Sequence, residues 1–169
     1  AGELRELLVD TTRKHLISDV RAGSCLSGGL DSSTVVSLIG KLWHEQPDEA
    51  SAVGDRFFTF TSCYRYRELD EREYALRAAE AVGATPNLVF PSPDDFWEAF
   101  PRLACHQDMP FASLSYYAQW RVMRAAREAG VKVLLDGQGG DEVFAGYAKF
   151  RYAYLASLLI DTDLVCRAR

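Results

Sequence analysis

Residues 22–33 read Ala-Gly-Ser-Cys-Leu-Ser-Gly-Gly-Leu-Asp-Ser-Ser: a short run of small, uncharged residues, a glycine pair, then an acid followed by hydroxyls. The run 22–26 predicts a buried strand that ends in a tight loop at 27–29. From Asp31 onward, Val35, Val36, Leu38, Ile39, Leu42 and Trp43 recur at helical spacing until Pro47, which predicts a helix over 31–45. A strand, a glycine turn and a helix in immediate succession form the first half of a unit in which the helix returns the chain to the same end of a sheet. The strands must then pair in parallel.

The same alternation runs outward in both directions. Upstream, Leu4, Leu7, Leu8, Thr11, His15 and Leu16 mark an amphipathic helix over 3–18. Downstream, residues 46–56 read as a polar loop, and residues 57–62 (FFTFTS) are aromatic and β-branched, the composition of a strand. Asp70 is placed to cap a helix with Tyr74, Ala75, Ala78, Ala79 and Val82 on one face and Gly83 at its end. Residues 87–90 then supply a third strand. Ser92-Pro93-Asp94-Asp95 is a helix start, with a hydroxyl at the cap, proline in the first turn and carboxylates near the positive end. That helix is expected to run through Leu103, with residues 105–114 as a loop and a further helix over 115–129 ending at Gly130. Residues 131–135 (VKVLL) are a fourth strand, followed by a second glycine loop over 136–140 and a helical, aromatic tail from Asp141. The expected fold is α/β, a three-layer sandwich with a mostly parallel sheet.

Composition narrows what such a fold can do. The chain has 169 residues, enough for one domain of ordinary size. Its 19 basic and 24 acidic residues give a net charge of −5, which opposes attraction to nucleic acid or to anionic lipid. The longest apolar runs are too short to cross a bilayer, so a cytoplasmic location and no membrane partner are expected. Cys25, Cys63, Cys105 and Cys166 form no C-x-x-C pair, which predicts mostly buried, reduced thiols and neither a disulfide framework nor a zinc site. His15, His44 and His106 share no ligand spacing and read as surface or capping residues. Tyr147, Phe150, Arg151, Tyr152 and Tyr154 read as core or a subdomain contact. Arg65, Arg67 and the tyrosines around them read as a loop able to cover a nucleotide.

Both glycine loops follow strands and open helices, so both belong at the carboxyl edge of the sheet, where open α/β folds bind ligands. If the fourth strand pairs beside the first, they face one crevice. In Ser27-Gly28-Gly29-Leu30-Asp31-Ser32-Ser33, two glycines expose backbone N–H groups at a positive helix end, a cradle for an anion. The loop has no lysine, so another cation must offset phosphate charge, and Asp31 would supply it through Mg²⁺. The heptapeptide resembles the PP-loop of the N-type ATP pyrophosphatases, whose fold is adenine nucleotide alpha hydrolase-like. Leu135-Asp136-Gly137-Gln138-Gly139-Gly140-Asp141-Glu142-Val143-Phe144-Ala145-Gly146-Tyr147 is similar to the G-x-G-x-D-E-x-F-x-G-Y segment of the asparagine synthetase family.

The resemblance spans residues 4–154 and implies a ligase that uses ATP and Mg²⁺. It implies that Ser27, Gly28, Gly29, Leu30, Asp31, Ser32 and Ser33 cradle pyrophosphate, and that Asp31 and Asp141 bind the metal. Cys25, Leu26, Asp136 and Gly137 are expected near AMP, and Thr61 and Ser62 in the stretch that contacts adenine. Asp31, Gln138, Asp141 and Glu142 are the expected catalytic positions. Gln138 stands where many members carry an acid and Asp136 where a serine is common, and residues 110–115 (PFASLS) lie on the acceptor side. The implied reaction is AMP-forming amide synthesis: adenylation of a carboxylate such as that of aspartate, then attack by ammonia or an amine. Relatives that close β-lactams or cyclise peptides, and a truncated nucleotide-binding domain without turnover, are the alternatives. Residues 1–169 are expected to be the synthetase-domain core of a longer chain, with ammonia coming from a glutaminase domain outside it, and a homodimer is the expected assembly.

Overall fold

The computed structural model describes residues 2–66 and 70–160, so Arg67 and Cys166 lie outside the described residues. The chain divides into two compact units, Ala1–Gly137 and Gln138–Arg169. In the first, strands β1 (Ala22–Cys25), β2 (Phe58–Ser62), β3 (Thr85–Val89) and β4 (Val133–Leu135) form one sheet in the order β3-β2-β1-β4. All three pairings are parallel, with Ser24 opposite Thr59, Ala22 opposite Val133 and Phe60 opposite Asn87. The strand order reverses at β1, as the sequence pattern requires if its two glycine loops are to meet.

Helices cover both faces. On one, α1 (Gly2–His15), α2 (Leu30–Glu45) and α3 (Arg72–Ala81) close a core of Leu16, Val36, Ile39, Leu42, Phe57, Ala75 and Ala79. On the other, α5 (Ser115–Glu128) lays Val122 and Ala126 on Phe60, Val89 and Val131, and α4 (Pro93–Gln107) packs against α5, with Phe96 edge-on to Tyr117 at 5.2 Å. The arrangement is the expected three-layer α/β sandwich.

Local rules account for most boundaries. Ser92 caps α4 by accepting the Asp95 N–H at 3.2 Å, with Pro93 at the first helical position. Several expectations need correction. Helix α4 runs one turn past Leu103 to Gln107, so residues 105–107 are helical and not loop; its stop is Asp108 in the left-handed region, φ 54°, a conformation that an aspartate tolerates better than most residues. Strand β3 starts at Thr85, with Pro86 inside it, because β3 is an edge strand and needs no donor on its open side. Strand β4 is shorter than 131–135, since the Lys132 and Val133 N–H groups both converge on the Arg21 carbonyl. The cap position of α3 is Glu71, but the side chain that accepts the helix's first N–H is that of Asp70, as expected, with Arg72 N–H to Oδ1 at 3.3 Å.

Burial brings further corrections. Thr12, not Thr11, lies on the buried face of α1, and Leu4 and Leu7 are exposed. The segment read as a polar loop contains a 3₁₀ turn, Ser51–Val53, whose Ala52 and Val53 join Ala50 in the core. Tyr74 is exposed instead of packing with Ala75. Cys63 is buried, whereas Cys25 is half-buried and Cys105 exposed.

The second unit carries α6 (Gly140–Phe144) and α7 (Ala148–Ile160), separated by Ala145 in the left-handed region. The aromatic tail is therefore two helices, and Tyr147, Tyr152 and Tyr154 are exposed, not core. Among the described residues, no helix is long and apolar enough to cross a membrane. Leu103 is fully buried on the outer face of the first unit. We expect Leu103→Ala to destabilise the fold by about 2–5 kcal/mol through the cavity it leaves. In a calorimetric melt this corresponds to a fall in Tm on the order of 10 °C.

Candidate nucleotide site

The site grows from the carboxyl ends of β1, β2 and β4. The small residues Ala22, Gly23 and Ser24 let β1 lie buried between two neighbours. The Ser24 hydroxyl donates to the Leu135 carbonyl at 3.0 Å, tying the end of β1 to the end of β4. Beyond β1, the Leu26 N–H continues the ladder to the Phe60 carbonyl at 2.9 Å. Thr61, on β2, donates its hydroxyl to the Leu26 carbonyl at 2.7 Å and so braces the start of the loop.

Serine hydroxyls hold the loop itself. Ser32 is buried, and its hydroxyl accepts the Ser27 N–H at 3.2 Å, meets the Ser27 hydroxyl at 2.9 Å and reaches the Gly29 carbonyl at 3.2 Å. The Ser27 hydroxyl in turn accepts the Gly29 N–H at 3.2 Å. Ser32 and Ser27 are thus part of the frame. The cap position of α2 is Gly29, and among the described residues no side-chain bond caps the helix. The first turn, carrying Leu30 and Asp31, therefore offers its backbone donors and positive end without an internal acceptor from a side chain. Gly28 has φ +94°, and a Cβ there would lie 2.8 Å from the Glu71 carbonyl oxygen and 2.9 Å from the Ala75 nitrogen. Both conformation and space require glycine at this position.

The second loop reaches the same place through Asp136 and Gly137. A Cβ on Gly137 would stand 2.7 Å from the Ser32 nitrogen and 3.1 Å from the Asp31 Cβ. Two segments more than a hundred residues apart in sequence thus meet within the first unit. Burial and the adjacent Asp136 carboxylate push the Cys25 thiol up to about 12, so it is neutral and no nucleophile at ordinary pH. The Ser62 hydroxyl, at the carboxyl end of β2, is buried without a hydrogen-bond partner among the described residues. An unpaired buried hydroxyl beside a ligand-binding edge suits a polar group supplied by a ligand.

Cys25, Leu26, residues 27–33, Thr61, Ser62, Asp136 and Gly137 are therefore gathered at one edge of the first unit, with Thr61 and Ser32 engaged in bracing. Gln138, Asp141 and Glu142 belong to the second unit. There the Glu142 carboxylate accepts the Tyr147 hydroxyl at 3.0 Å, and the Asp141 carboxylate folds back over Gly146, where a Cβ would collide with its Oδ1. Lys149 lies over the Tyr147 ring at 4.8 Å. His15 and His44 contact the backbone carbonyls of Thr11 and Val82, the bland roles expected of them. Sequence reading missed Ser24 and the first turn of α3. A serine in a run of small residues shows no partner in sequence, and the contact of Gly28 with α3 exists only after folding.

With this geometry in view, the family described as Asparagine synthase matches residues 3–162. The chain is 32% identical over 149 residues to an asparagine synthetase [glutamine-hydrolyzing] of Bacillus subtilis, covering 88% of this chain and 22% of that protein. It is 29% identical over 164 residues to Amidase chyE of Penicillium rubens, covering 95% of this chain and 24% of that protein. The chain spans about a fifth to a quarter of the length of these curated relatives. Among solved structures, an NH3-dependent NAD synthetase from Campylobacter jejuni superposes with a TM-score of 0.50 at 15% identity, covering 87% of this chain and 60% of that one. That likeness places the first unit's sheet in the PP-loop, adenine nucleotide alpha hydrolase-like fold.

Cys25 carries a pH signature. Its folded thiol titrates near 12 and the unfolded thiol near 9.0, so its contribution to stability is complete below pH 9.0 and is lost as pH rises towards 12. Urea unfolding of Cys25→Ala should therefore lose stability less steeply than wild type above pH 9.0.

Proposed function

The chain belongs to the asparagine synthase family, and from that premise we propose that it binds ATP with Mg²⁺ and serves AMP-forming amide-bond synthesis. The observation that carries this reading is the meeting of Gly137 with Asp31 and Ser32 at the uncapped start of α2. A phosphate chain needs backbone donors, a positive helix end and room free of side-chain carbons. The edge at residues 27–33 supplies the first two, and Gly28 and Gly137 let α3 and the second loop close against its backbone without a side-chain carbon between them.

In the proposed reaction a substrate carboxylate attacks the α-phosphorus of ATP, pyrophosphate departs, and ammonia or an amine displaces AMP to leave an amide. The loop residues Ser27, Gly28, Gly29, Leu30, Ser32 and Ser33 hold the β- and γ-phosphates, with the serine frame fixing the amides before the ligand arrives. That preorganisation stabilises charge developing on the leaving group without reorganisation at the moment of reaction. Cys25, Leu26, Asp136 and Gly137 border AMP, and the unpaired Ser62 hydroxyl beside Thr61 offers a hydrogen bond to the base. Mg²⁺, when bound, neutralises the phosphate charge and polarises the leaving group. Asp31 and, by the family resemblance, Asp141 are the carboxylates proposed to hold it, with Gln138 and Glu142 as further catalytic positions. The charge of −5 disfavours nucleic acid as substrate, and a small carboxylate such as aspartate is the proposed acceptor. Ammonia from a glutaminase domain, a homodimeric assembly and a cytoplasmic location belong to the same proposal.

Two variants test it. Calorimetric titration should show Mg²⁺-dependent ATP binding by the wild-type chain and none by Asp31→Ala, with Tm preserved because Asp31 lies at the loop end. Unchanged affinity in Asp31→Ala, or ADP in place of AMP in a turnover assay, contradicts the proposal. Gly146→Ala should displace the Asp141 carboxylate, since the new Cβ would collide with its Oδ1, which moves more easily than the backbone. The expected result is a raised Mg²⁺ requirement with little change in Tm.

A further inference from the structure

The first turn of α3 lies against the phosphate loop. Gly28 sits on the hydrogen bond that opens α3, in which the Ala75 N–H donates to the Glu71 carbonyl at 3.2 Å. Both atoms of that bond would be within 3 Å of a Cβ on Gly28, and the Tyr74 Cβ would lie at 3.0 Å. The first turn of α3 thus closes directly on the left-handed turn of the loop, with no side-chain carbon between them.

One side chain pins that beginning. Asp70 has a side chain only 6% exposed, and its Oδ1 accepts the Arg72 N–H at 3.3 Å. Its Oδ2 accepts Arg72 Nε at 2.6 Å, and Arg72 Nη2 also lies 2.6 Å away. The guanidinium lies 5.6 Å from the centre of the Phe90 ring, just past the end of β3. Asp70 thus bonds both the backbone and the side chain of Arg72, and Arg72 carries the start of α3 to the sheet edge through its contact with the Phe90 ring. Neither side chain belongs to the loop.

We propose that Asp70 and Arg72 are positioning residues for the phosphate loop: by fixing the first turn of α3, they hold Gly28 and the serine frame in the conformation that receives phosphate. The proposal rests on the ATP reading for its purpose, whereas the coupling between α3 and the loop can be measured without ligand.

Hydrogen exchange on the full chain supplies that measurement. The Ser27, Gly29 and Ser33 amides, bonded to Ser32 Oγ, Ser27 Oγ and the Gly29 carbonyl, report the loop frame. In Asp70→Asn their exchange should accelerate about tenfold, and Mg·ATP affinity should fall by a similar factor, as expected for loss of a charge-assisted hydrogen bond. Arg72→Gln should act in the same direction and decides the matter if Asp70→Asn does not fold. Leu103→Ala, which lowers Tm from the opposite face, should leave the exchange of these three amides unchanged relative to their neighbours. If the Tyr74 and Ala75 amides open in Asp70→Asn while the loop amides do not, the proposal is overturned. Failure of the wild-type chain to bind Mg·ATP, with the exchange coupling intact, instead overturns the ATP reading and leaves the coupling standing.

Discussion

Parallel pairing of β1 with β4 is the constraint from which the site follows. Ala22 opposite Val133 and Ser24 opposite Leu135 fix the register, and the Ser24 hydroxyl locks its last rung onto the Leu135 carbonyl. Because both strands run the same way, the chain leaves both at one edge. A residue after β1 and a residue after β4 must then be neighbours, however far apart in sequence. Small side chains at 22–24 make this possible, since β1 is buried between β2 and β4 and Gly23 leaves no carbon to collide with the Phe58 carbonyl, which would lie 2.8 Å from a Cβ.

At that edge the polar groups are arranged before any ligand is present. Ser32 is buried yet fully bonded to Ser27 and Gly29, so the loop amides are held without a flexible cation. The proposed phosphate site has no lysine and would rely on such a frame, with preorganised backbone dipoles in place of a mobile ammonium. The neutral Cys25 thiol beside Asp136 fits the proposed site: it adds no charge at ordinary pH next to the edge proposed to take the phosphates. What surrounds the loop matters equally, since the first turn of α3 packs directly on Gly28 and leaves no space for a side chain there.

Much of this was legible in the residues. The run 22–26, the glycine pair and the stripe from Val35 to Trp43 define β1, the loop and α2 within a residue or two, because a buried strand and a one-sided helix leave distinct periods. Ser92-Pro93 announced its cap chemically. The misses share a cause, in that tertiary context decided them: Pro86 sits in a strand only because that strand is at the edge, Asp108 ends α4 in a conformation usually marked by glycine, and Ala50, Ala52 and Val53 are buried although their neighbours are polar. The capping of α3 by Asp70 was legible, whereas the seating of Gly28 against α3 and the Arg72 contact with Phe90 leave no local trace.

The most direct measurement of the central claim is the amide spectrum of the isotopically labelled chain titrated with Mg²⁺ and a non-hydrolysable α,β-methylene analogue of ATP. Binding at the edge built by β1 and β4 should move the resonances of Gly28, Gly29, Leu30, Asp31 and Gly137 together, saturating at one affinity. Saturable binding that shifts residues elsewhere and leaves both Gly28 and Gly137 in place would contradict it.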